Sequence, residues 1–546
     1  MVSLMSDATS IDSAQDRRWL ILGVIGLAQL MVVLDSTIVN IALPSAQHAL
    51  GFANSDRQWV VTSYALAFGS LLLVGGRLGD MYNRKWIFIT GLIGFAVASA
   101  IGGAAVSFVM LVAARALQGA FGAILAPSAL GLLVSTFRDP RERGRAFAVF
   151  GSVAAGGGAV GLILGGVLTQ YLSWRYTLFV NLIFAALAVV GALAYIRSSR
   201  PATPPRMDWP GAVLACAGLF LIVFGFSHAG TAGWTATLTL GSLVLGAVLL
   251  TAFVVAEQRS SHPLLPLRII LDRTRGGSYV AVGITGIAIF GIFLFLTYYM
   301  QQVKGYSPLT TGLLFLPLVA GILVASTLSS VVALPRVGPR LLITAGMLLG
   351  AGGTAYLAQL TVTSSYLGGV LPALLIMGLG FGMIFAPAIN TATAGVPRED
   401  SGVASALVNT MQQVGGSIGI SVLSTIAASA TTSYFIAHHT GPQAPAIAAT
   451  HGYTLAFTIS AALLGLGAIL AILMLPSRKR LEKLTSEASA LIPEPEPEPE
   501  VAAPALEPQP QVASALAPAV KVMPVALICC SPVIDPGLPP EAAVPS

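Results

Sequence analysis

Phe121-Gly-Ala-Ile-Leu-Ala-Pro127 returns as Phe381-Gly-Met-Ile-Phe-Ala-Pro387, 260 positions further along the chain. A second block keeps almost the same spacing: Gly144, Gly157, Gly158 and Gly161 recur as Gly402, Gly415, Gly416 and Gly419, each 258 positions on. Two unrelated blocks sharing one long offset indicate that the chain holds two copies of a large unit. The apolar stretches around both blocks make that unit a set of membrane helices.

Composition agrees. Hydrophobic residues make up 55% of the chain and charged residues 9%, against about 25% charged in an ordinary globular domain. A hydrocarbon core about 30 Å thick needs about 20 apolar residues per helix. On that ruler the chain divides into fourteen spans, at 19–43, 57–78, 86–105, 108–134, 146–170, 175–196, 209–229, 235–257, 277–301, 309–332, 341–361, 366–391, 403–427 and 452–475. The least obvious division lies within 86–137, where Arg115 is the only charge. As one helix it would run about 78 Å, so it is expected to fold back near Gly102-Gly103.

Charge placement tests this count, because cytoplasmic loops gather Lys and Arg. An even number of spans puts both termini on one side, expected to be the cytoplasm. Of the 28 basic residues, Arg57, Arg175 and Lys304 then fall outside and Arg115 within the membrane, and the other 24 share the side of the termini. One missed helix would destroy that asymmetry. The net charge of +6 is therefore a topology signal and calls for no nucleic-acid partner.

The repeat organises the chain. A cytoplasmic N-terminus (1–18) leads into a six-helix bundle (19–200), two inserted helices (207–258), a cytoplasmic loop (259–276) and a second six-helix bundle (277–476). The first span reads as an anchor and not as a cleaved signal. From 477 to 546 a cytoplasmic tail follows; 14 of the 33 prolines lie beyond residue 490, beginning with the Pro493–Glu500 run. Such a segment is extended and without a core. Cys216, Cys529 and Cys530 support neither a disulfide framework nor a metal site. Two related bundles rocking around a site held between them is how secondary transporters are built.

From residue 17 to 476 the sequence resembles the major facilitator superfamily, in particular its fourteen-span drug:proton antiporters of the EmrB/QacA type. Leu34-Asp-Ser-Thr-Ile-Val-Asn-Ile-Ala-Leu-Pro44 is similar to that group's first-span signature. Gly76-Arg-Leu-Gly-Asp-Met-Tyr-Asn-Arg-Lys85 resembles the superfamily loop motif between spans two and three, and Arg115-Ala-Leu-Gln-Gly119 the fourth-span motif. Gly157 through Gly166, continuing into Ser173-Trp-Arg-Tyr176, resembles the fifth-span antiporter motif. Met81, Asn83 and Leu162 depart from these patterns, which usually carry a base, Gly and Pro there. Asn tolerates positive φ, so a tight turn at Asn83 is expected to survive. The resemblance implies an all-α polytopic fold of two pseudo-symmetric six-helix bundles plus two inserted helices. It also implies efflux of drugs or antibiotics by proton antiport, with no cofactor beyond the proton gradient. The expected setting is a monomer in the cytoplasmic membrane, with a small molecule, protons and lipid as its partners.

The chemistry can be argued from the residues alone. Asp35 and Arg115 are the charged residues placed well inside helices, and intramembrane charges are costly and usually mark ion or substrate pathways. Counting from the span ends, each lies roughly 10–12 Å below the outer surface. A pair at one depth can share a cavity. Withdrawal of water favours the neutral carboxyl, a neighbouring guanidinium favours the carboxylate, and opening the cavity changes both influences. Gln118, in the same fourth-span motif, joins the pair as a candidate for the proton and substrate site. A permanent salt bridge that merely holds two helices is the competing reading, though buried ion pairs are weak stabilisers.

Leu375 replaces Arg115 in the second copy, and no acid stands between Asp272 and Glu399. That half offers amides: Gln301, Gln302, Asn390, Asn409, Gln412 and Gln413, with the last four as polar candidates for the cavity wall. Gly157, Gly161 and Gly165 form one stripe, with Gly158, Leu162 and Gly166 beside it. Small residues at this spacing allow close, sliding contact, here expected between the halves. By resemblance, Gly76, Gly79, Asp80, Arg84 and Lys85 form a cytoplasmic gate latch, for which Ser401 would supply a helix N-terminus. The six histidines have no ligand or catalytic partner at useful spacing, so an enzyme is not expected. The alternative within transport is a proton symporter importing a small metabolite, which should line both halves with polar groups.

Overall fold

The repeated block is a packing device. The computed structural model describes residues 2–137, 139–198, 207–260, 263–393, 396, 401–438 and 441–480, with side chains from residue 17 onward except at 80, 140, 230, 231, 401 and 402. Its first eight long helices are α1 (Val2–Leu50), α2 (Gln58–Met81), α3 (Arg84–Gly103), α4 (Phe108–Thr136), α5 (Pro140–Tyr171), α6 (Tyr176–Tyr195), α7 (Trp209–Ala232) and α8 (Thr237–Arg259). After a short turn of helix at Leu267–Leu271 come α9 (Arg273–Tyr298, continued by a π-helical turn Tyr299–Val303) and α10 (Leu316–Leu328, led in by Pro308–Leu314). The last four are α11 (Leu334–Leu357), α12 (Leu371–Thr393), α13 (Ser401–Ala437) and α14 (Ala444–Met474). The Phe121 ring lies where Gly94 of α3 leaves room for it, and the Phe381 ring lies on Gly350 of α11. Gly122 faces Phe68 of α2, and Gly382 faces the Ile322 carbonyl of α10. Each copy of the block thus locks the fourth helix of its unit onto the second and third.

Among the described residues, thirteen helices are long and apolar enough to cross a membrane. One of them, Pro308–Leu357, has 50 residues, more than twice what one crossing needs. It is two crossings. Gly321 packs on Gly378 and Ala325 on Gly382, so α10 runs with α12. Gly346 packs by Ile384 and Gly353 by Met377, so α11 runs against it. The reversal falls at Gly338, whose φ of 78° and ψ of 166° suit a residue without Cβ. The spans therefore number fourteen.

Several helices outrun the hydrophobic segments that announce them. α1 passes Pro44 and stops only at Gly51, φ 67°, a left-handed glycine ending a helix. α5 begins at Pro140, because Asp139 accepts hydrogen bonds from the backbone N–H groups of Arg141 and Glu142, both at 2.9 Å, and proline suits a first helical position. The fold-back expected near Gly102-Gly103 is present: α3 ends there, and Ser107 caps α4 by accepting from Met110 N at 3.3 Å.

α1 packs on α4, α5 and α6, α2 on α4, and α3 on α4 and α6; α9 to α14 repeat the scheme, and the two sets meet where α2 lies on α13 and α5 on the Pro308–Leu314 turn. The hydrophobic interior is distributed unequally. At the end remote from the termini, Leu34, Ile38, Leu43 and Val61 share one core with Phe295, Tyr299 and Phe315. At the end carrying the termini, α1 to α6 have a core of their own, including Leu22, Ile25, Phe88 and Phe137, against which Ala406 of α13 also packs.

α7 lies against α2 and α13, with Gln58 donating to Ser227 Oγ at 2.9 Å. Glu257 ends the eighth span two residues before Arg259, a position that hydropathy alone would assign to the membrane interface. It is instead buried, because the following loop folds over it and donates the N–H groups of Leu264 and Leu265 at 3.2 and 3.0 Å. Residues 481–546, with Cys529, Cys530 and the Pro-Glu run, lie outside the described residues.

Candidate functional site

Arg115 reaches the core of the first unit because of Gly119, one turn further along α4. A Cβ at Gly119 would collide with the Tyr64 carbonyl, so only glycine lets α4 lie this close to α2. From that position the Arg115 Nε donates to the Val60 carbonyl at 3.2 Å. Its guanidinium stands 4.4 Å from the centre of the Tyr64 ring, a cation–π distance.

The remaining contacts converge on Asp35. Arg115 Nη1 lies 2.5 Å from Asp35 Oδ2 and 2.8 Å from Gln118 Oε1. Gln118 Nε2 donates to Asp35 Oδ1 at 3.0 Å and to Ser99 Oγ at 2.6 Å. Asn181 Nδ2 donates to Asp35 Oδ1 at 2.8 Å and to Ser99 Oγ at 3.4 Å. Asp35, Gln118, Ser99 and Asn181 are all 0% exposed and Arg115 is 2% exposed. Five helices, α1, α2, α3, α4 and α6, thus build one closed polar cluster, and α5 backs it: Gly161 packs on Leu34 and Gly165 on Ile38.

Three N–H donors, from Arg115, Gln118 and Asn181, converge on the carboxyl oxygens. In this state the pair is closed off from the surface. Removing the carboxylate charge would leave Arg115 with the Val60 carbonyl and Gln118 Oε1 as partners. Asn181 Oδ1 is buried and has no hydrogen-bond partner, leaving one free acceptor within the cluster.

Sequence reasoning brought Asp35, Arg115 and Gln118 to this point but missed Ser99, Asn181 and Tyr64. A signal existed for Asn181, the only amide in the otherwise apolar α6. The contribution of the Val60 carbonyl has no sequence signal at all, because any residue carries one.

The glycine stripe is a correction. Gly157, Gly161 and Gly165 do not face the other unit: they pack on Leu30, Val33, Leu34 and Ile38 of α1. The helical turn was read correctly but its partner was not, since spacing alone cannot say which neighbour a stripe meets. Gly166, beside it, does meet Leu309 of the second unit, and the buried Leu162 has its carbonyl against Gly312. Nothing lies within 4 Å of a Cβ built at Gly158.

At the terminus end, Gly76 and Gly79 of α2 lie over Pro127 and Ser128 of α4, with room for a Cβ at either position. Lys85 Nζ donates to the Leu193 carbonyl at 3.1 Å and Arg84 Nη1 to the Gly131 carbonyl at 3.5 Å; the Leu193 carbonyl belongs to the last turn of α6, where a cation is favoured. The side chains of Asp80 and Ser401 lie outside the described set. The turn expected at Asn83 is different: its φ is −66° and ψ 112°, and its side chain caps α3 by accepting from Lys85 N at 3.1 Å. It substitutes for glycine by capping, with no positive φ. In the second unit, Asn390 and Asn409 are exposed and Gln412 and Gln413 half-buried, and none enters the Asp35 cluster. Gln301 Nε2 donates to the Ile41 carbonyl at 3.0 Å, joining the two units at the far end. Among the described residues no group of three or more His, Cys, Asp or Glu could hold a metal ion.

Comparison with known proteins agrees with this architecture. The chain is 46% identical over 485 residues to the puromycin resistance protein pur8 of Streptomyces alboniger, covering 88% of this chain and 96% of that protein. It is 41% identical over 418 residues to the cephamycin export protein CmcT of Amycolatopsis lactamdurans, covering 74% and 84%. Among solved structures, the POT family transporter PepTSo superposes with a TM-score of 0.62 at 14% identity, covering 87% of this chain and 99% of that one. A bacterial homolog of the human lysosomal transporter Spinster gives 0.59 at 16%, covering 86% and 98%. These last two are likenesses of fold. The Major Facilitator Superfamily profile matches residues 25–420, and with fourteen crossings, duplicated helix packing and a buried Asp–Arg pair this chain belongs to that superfamily of membrane transporters.

Proposed function

We propose that this protein is a proton-coupled antiporter that exports amphipathic or cationic organic compounds, such as drugs or antibiotics, across the cytoplasmic membrane. Both termini face the cytoplasm and the protein works as a monomer. Residues 19–200 and 277–476 act as two rocking bundles, with 207–258 inserted between them; the energy source is the proton gradient. The kinship with puromycin resistance and cephamycin export proteins supports export and the class of cargo.

The single observation that carries the coupling is the set of three donors on Asp35. Arg115, Gln118 and Asn181 hold Asp35 in place. Protonation neutralises it, weakens its hold on Arg115, and so frees α4 from α1. Release of the proton restores the pair. The membrane potential acts on this centre at about 2.3 kcal/mol per charge per 100 mV, and a cycle that exchanges proton for substrate converts that into export. Gln118 keeps both ends of the pair aligned. The amides Asn390, Asn409, Gln412 and Gln413 are assigned to the neutral wall of the cavity. Gly76, Gly79, Asp80, Arg84 and Lys85 are assigned to the cytoplasmic latch.

Proteoliposomes containing the purified protein and a pH-reporting dye test this reading. Addition of a transported cation should trigger proton release from the protein and accumulate substrate against its gradient when the membrane is energised. Proton uptake together with substrate, in the same direction, would mean symport and overturn the proposal.

A further inference from the structure

At the far end of the molecule, a second buried cation sits where none is needed to close a helix. Arg57, immediately before α2, is only 5% exposed. Its guanidinium carbon lies 4.2 Å from the ring centre of Tyr298, 5.3 Å from that of Tyr453 and 5.7 Å from that of Phe295. Nη1 donates to the Tyr453 hydroxyl at 3.3 Å, and Nε is buried without a partner. Among the described residues no carboxylate pairs with it. The three rings belong to α9 and α14, in the second unit, and Tyr298 is fixed by donating to Gln47 Oε1 of α1 at 2.6 Å.

Three aromatic faces around a cation form the kind of cage that recognises organic cations, and such contacts strengthen as water is excluded. The occupant here is covalently part of the protein but poorly satisfied: a guanidinium has five N–H donors, and this one is buried with its Nε unpaired and no counter-charge among the described residues, which is costly. Because Arg57 precedes the first turn of α2, leaving the cage returns it to the membrane edge and to water. The cage therefore has an occupant that another cation can replace.

We propose that Phe295, Tyr298 and Tyr453 form a cation-binding site that Arg57 fills while the far end is closed, and that the cationic group of an exported compound fills as that end opens. This rests on the exporter reading for the identity of the ligand. The preferred cargo head group is then a compact alkylammonium or guanidinium. Its arrival releases the Arg57 contact between the two units, so that cargo itself helps unlock its exit.

Equilibrium binding to the purified full-length protein tests the site without transport. The probe is benzyltrimethylammonium, with neopentylbenzene as its uncharged isostere. Arg57→Gln should bind the cation about tenfold more tightly than wild type, a gain of about 1.4 kcal/mol, with no gain for the isostere. Arg57→Lys, which keeps a cation in the cage, should bind as wild type. Adding Tyr298→Leu, or Phe295→Leu where the first variant folds poorly, should erase the gain. An unchanged affinity in Arg57→Gln, or a gain that survives loss of the rings, would overturn the proposal. Proteoliposome transport of the same cation by wild type reports separately on the exporter reading: binding without transport leaves the cage standing and that reading refuted.

Discussion

Asn181 of α6 donates its side-chain amide to Asp35 of α1 at 2.8 Å while its own carbonyl oxygen goes unpaired. An orphaned acceptor in a fully buried cluster is unusual, since buried polar atoms are nearly always satisfied. Asn181 thus ties α6 both to Asp35 of α1 and to Ser99 of α3.

Replacing Asp35 by Asn preserves shape and fixes the group as neutral. The variant should insert and fold normally, bind substrate at least as well as wild type, and show no proton-driven export. If the pair served only as a brace, Asp35→Asn would misfold and the double variant with Arg115→Gln would recover export. Substrate-triggered proton release decides between them.

Asn181→Leu removes one donor from the carboxylate and the free acceptor together. A hydrogen bond to a charged group is worth about 1.5–3 kcal/mol. Export should slow at least tenfold at unchanged membrane levels, with the largest deficit in coupled proton release. Wild-type rates in initial-velocity transport assays would show that Gln118 and Arg115 suffice.

The fifth helix offers a paired test. A side chain at Gly161 would run into Thr37 and the Leu34 backbone, next to Asp35, whereas Gly158 faces open space. Gly161→Leu should lower the thermal unfolding midpoint and abolish export, overpacking costing about 1–3 kcal/mol, while Gly158→Leu should leave both near wild type. Equal damage from the two would mean that a general loss of helix flexibility is responsible.

Removal of residues 486–546 should leave export intact, because a run dense in proline and glutamate has no means of building a core. Resistance conferred on a pump-deficient host, measured at matched membrane abundance, checks this. A drop in resistance would assign the tail a role.

Much of this was legible in the chain, for reasons that differ by residue. The 260-residue offset was visible because Phe121 and Gly122 must meet the third and second helices of their unit, and Phe381 and Gly382 face the same geometric demand. Asp35 and Arg115 stood out because hydrocarbon tolerates few charges. What could not be read was adjacency. Nothing in the spacing of Gly157, Gly161 and Gly165 says whether they meet α1 or the other unit, and nothing in Arg57 distinguishes a loop cation from one enclosed by rings that come from positions more than 200 residues away. The far end of α1 escaped notice because amphipathic turns beyond the bilayer carry no hydropathy signal, though Gly51 was there to mark the stop.

The unequal division of the hydrophobic core has a consequence for what the halves are on their own. Cut between α6 and α7, the first fragment would retain the whole Leu22–Phe137 cluster and be torn open around Leu34, Ile38 and Val61, whose neighbours Phe295 and Phe315 would be lost. Amide hydrogen exchange in the intact protein should carry the same imprint, with slow exchange through global opening around Ile38 and Tyr299 and faster, sub-global opening around Leu22 and Phe88. The second bundle, whose core runs unbroken from Phe315 to Leu475, thus shares its cooperative unit with the far end of the first, and the boundary between cooperative units does not follow the boundary between the two sequence repeats.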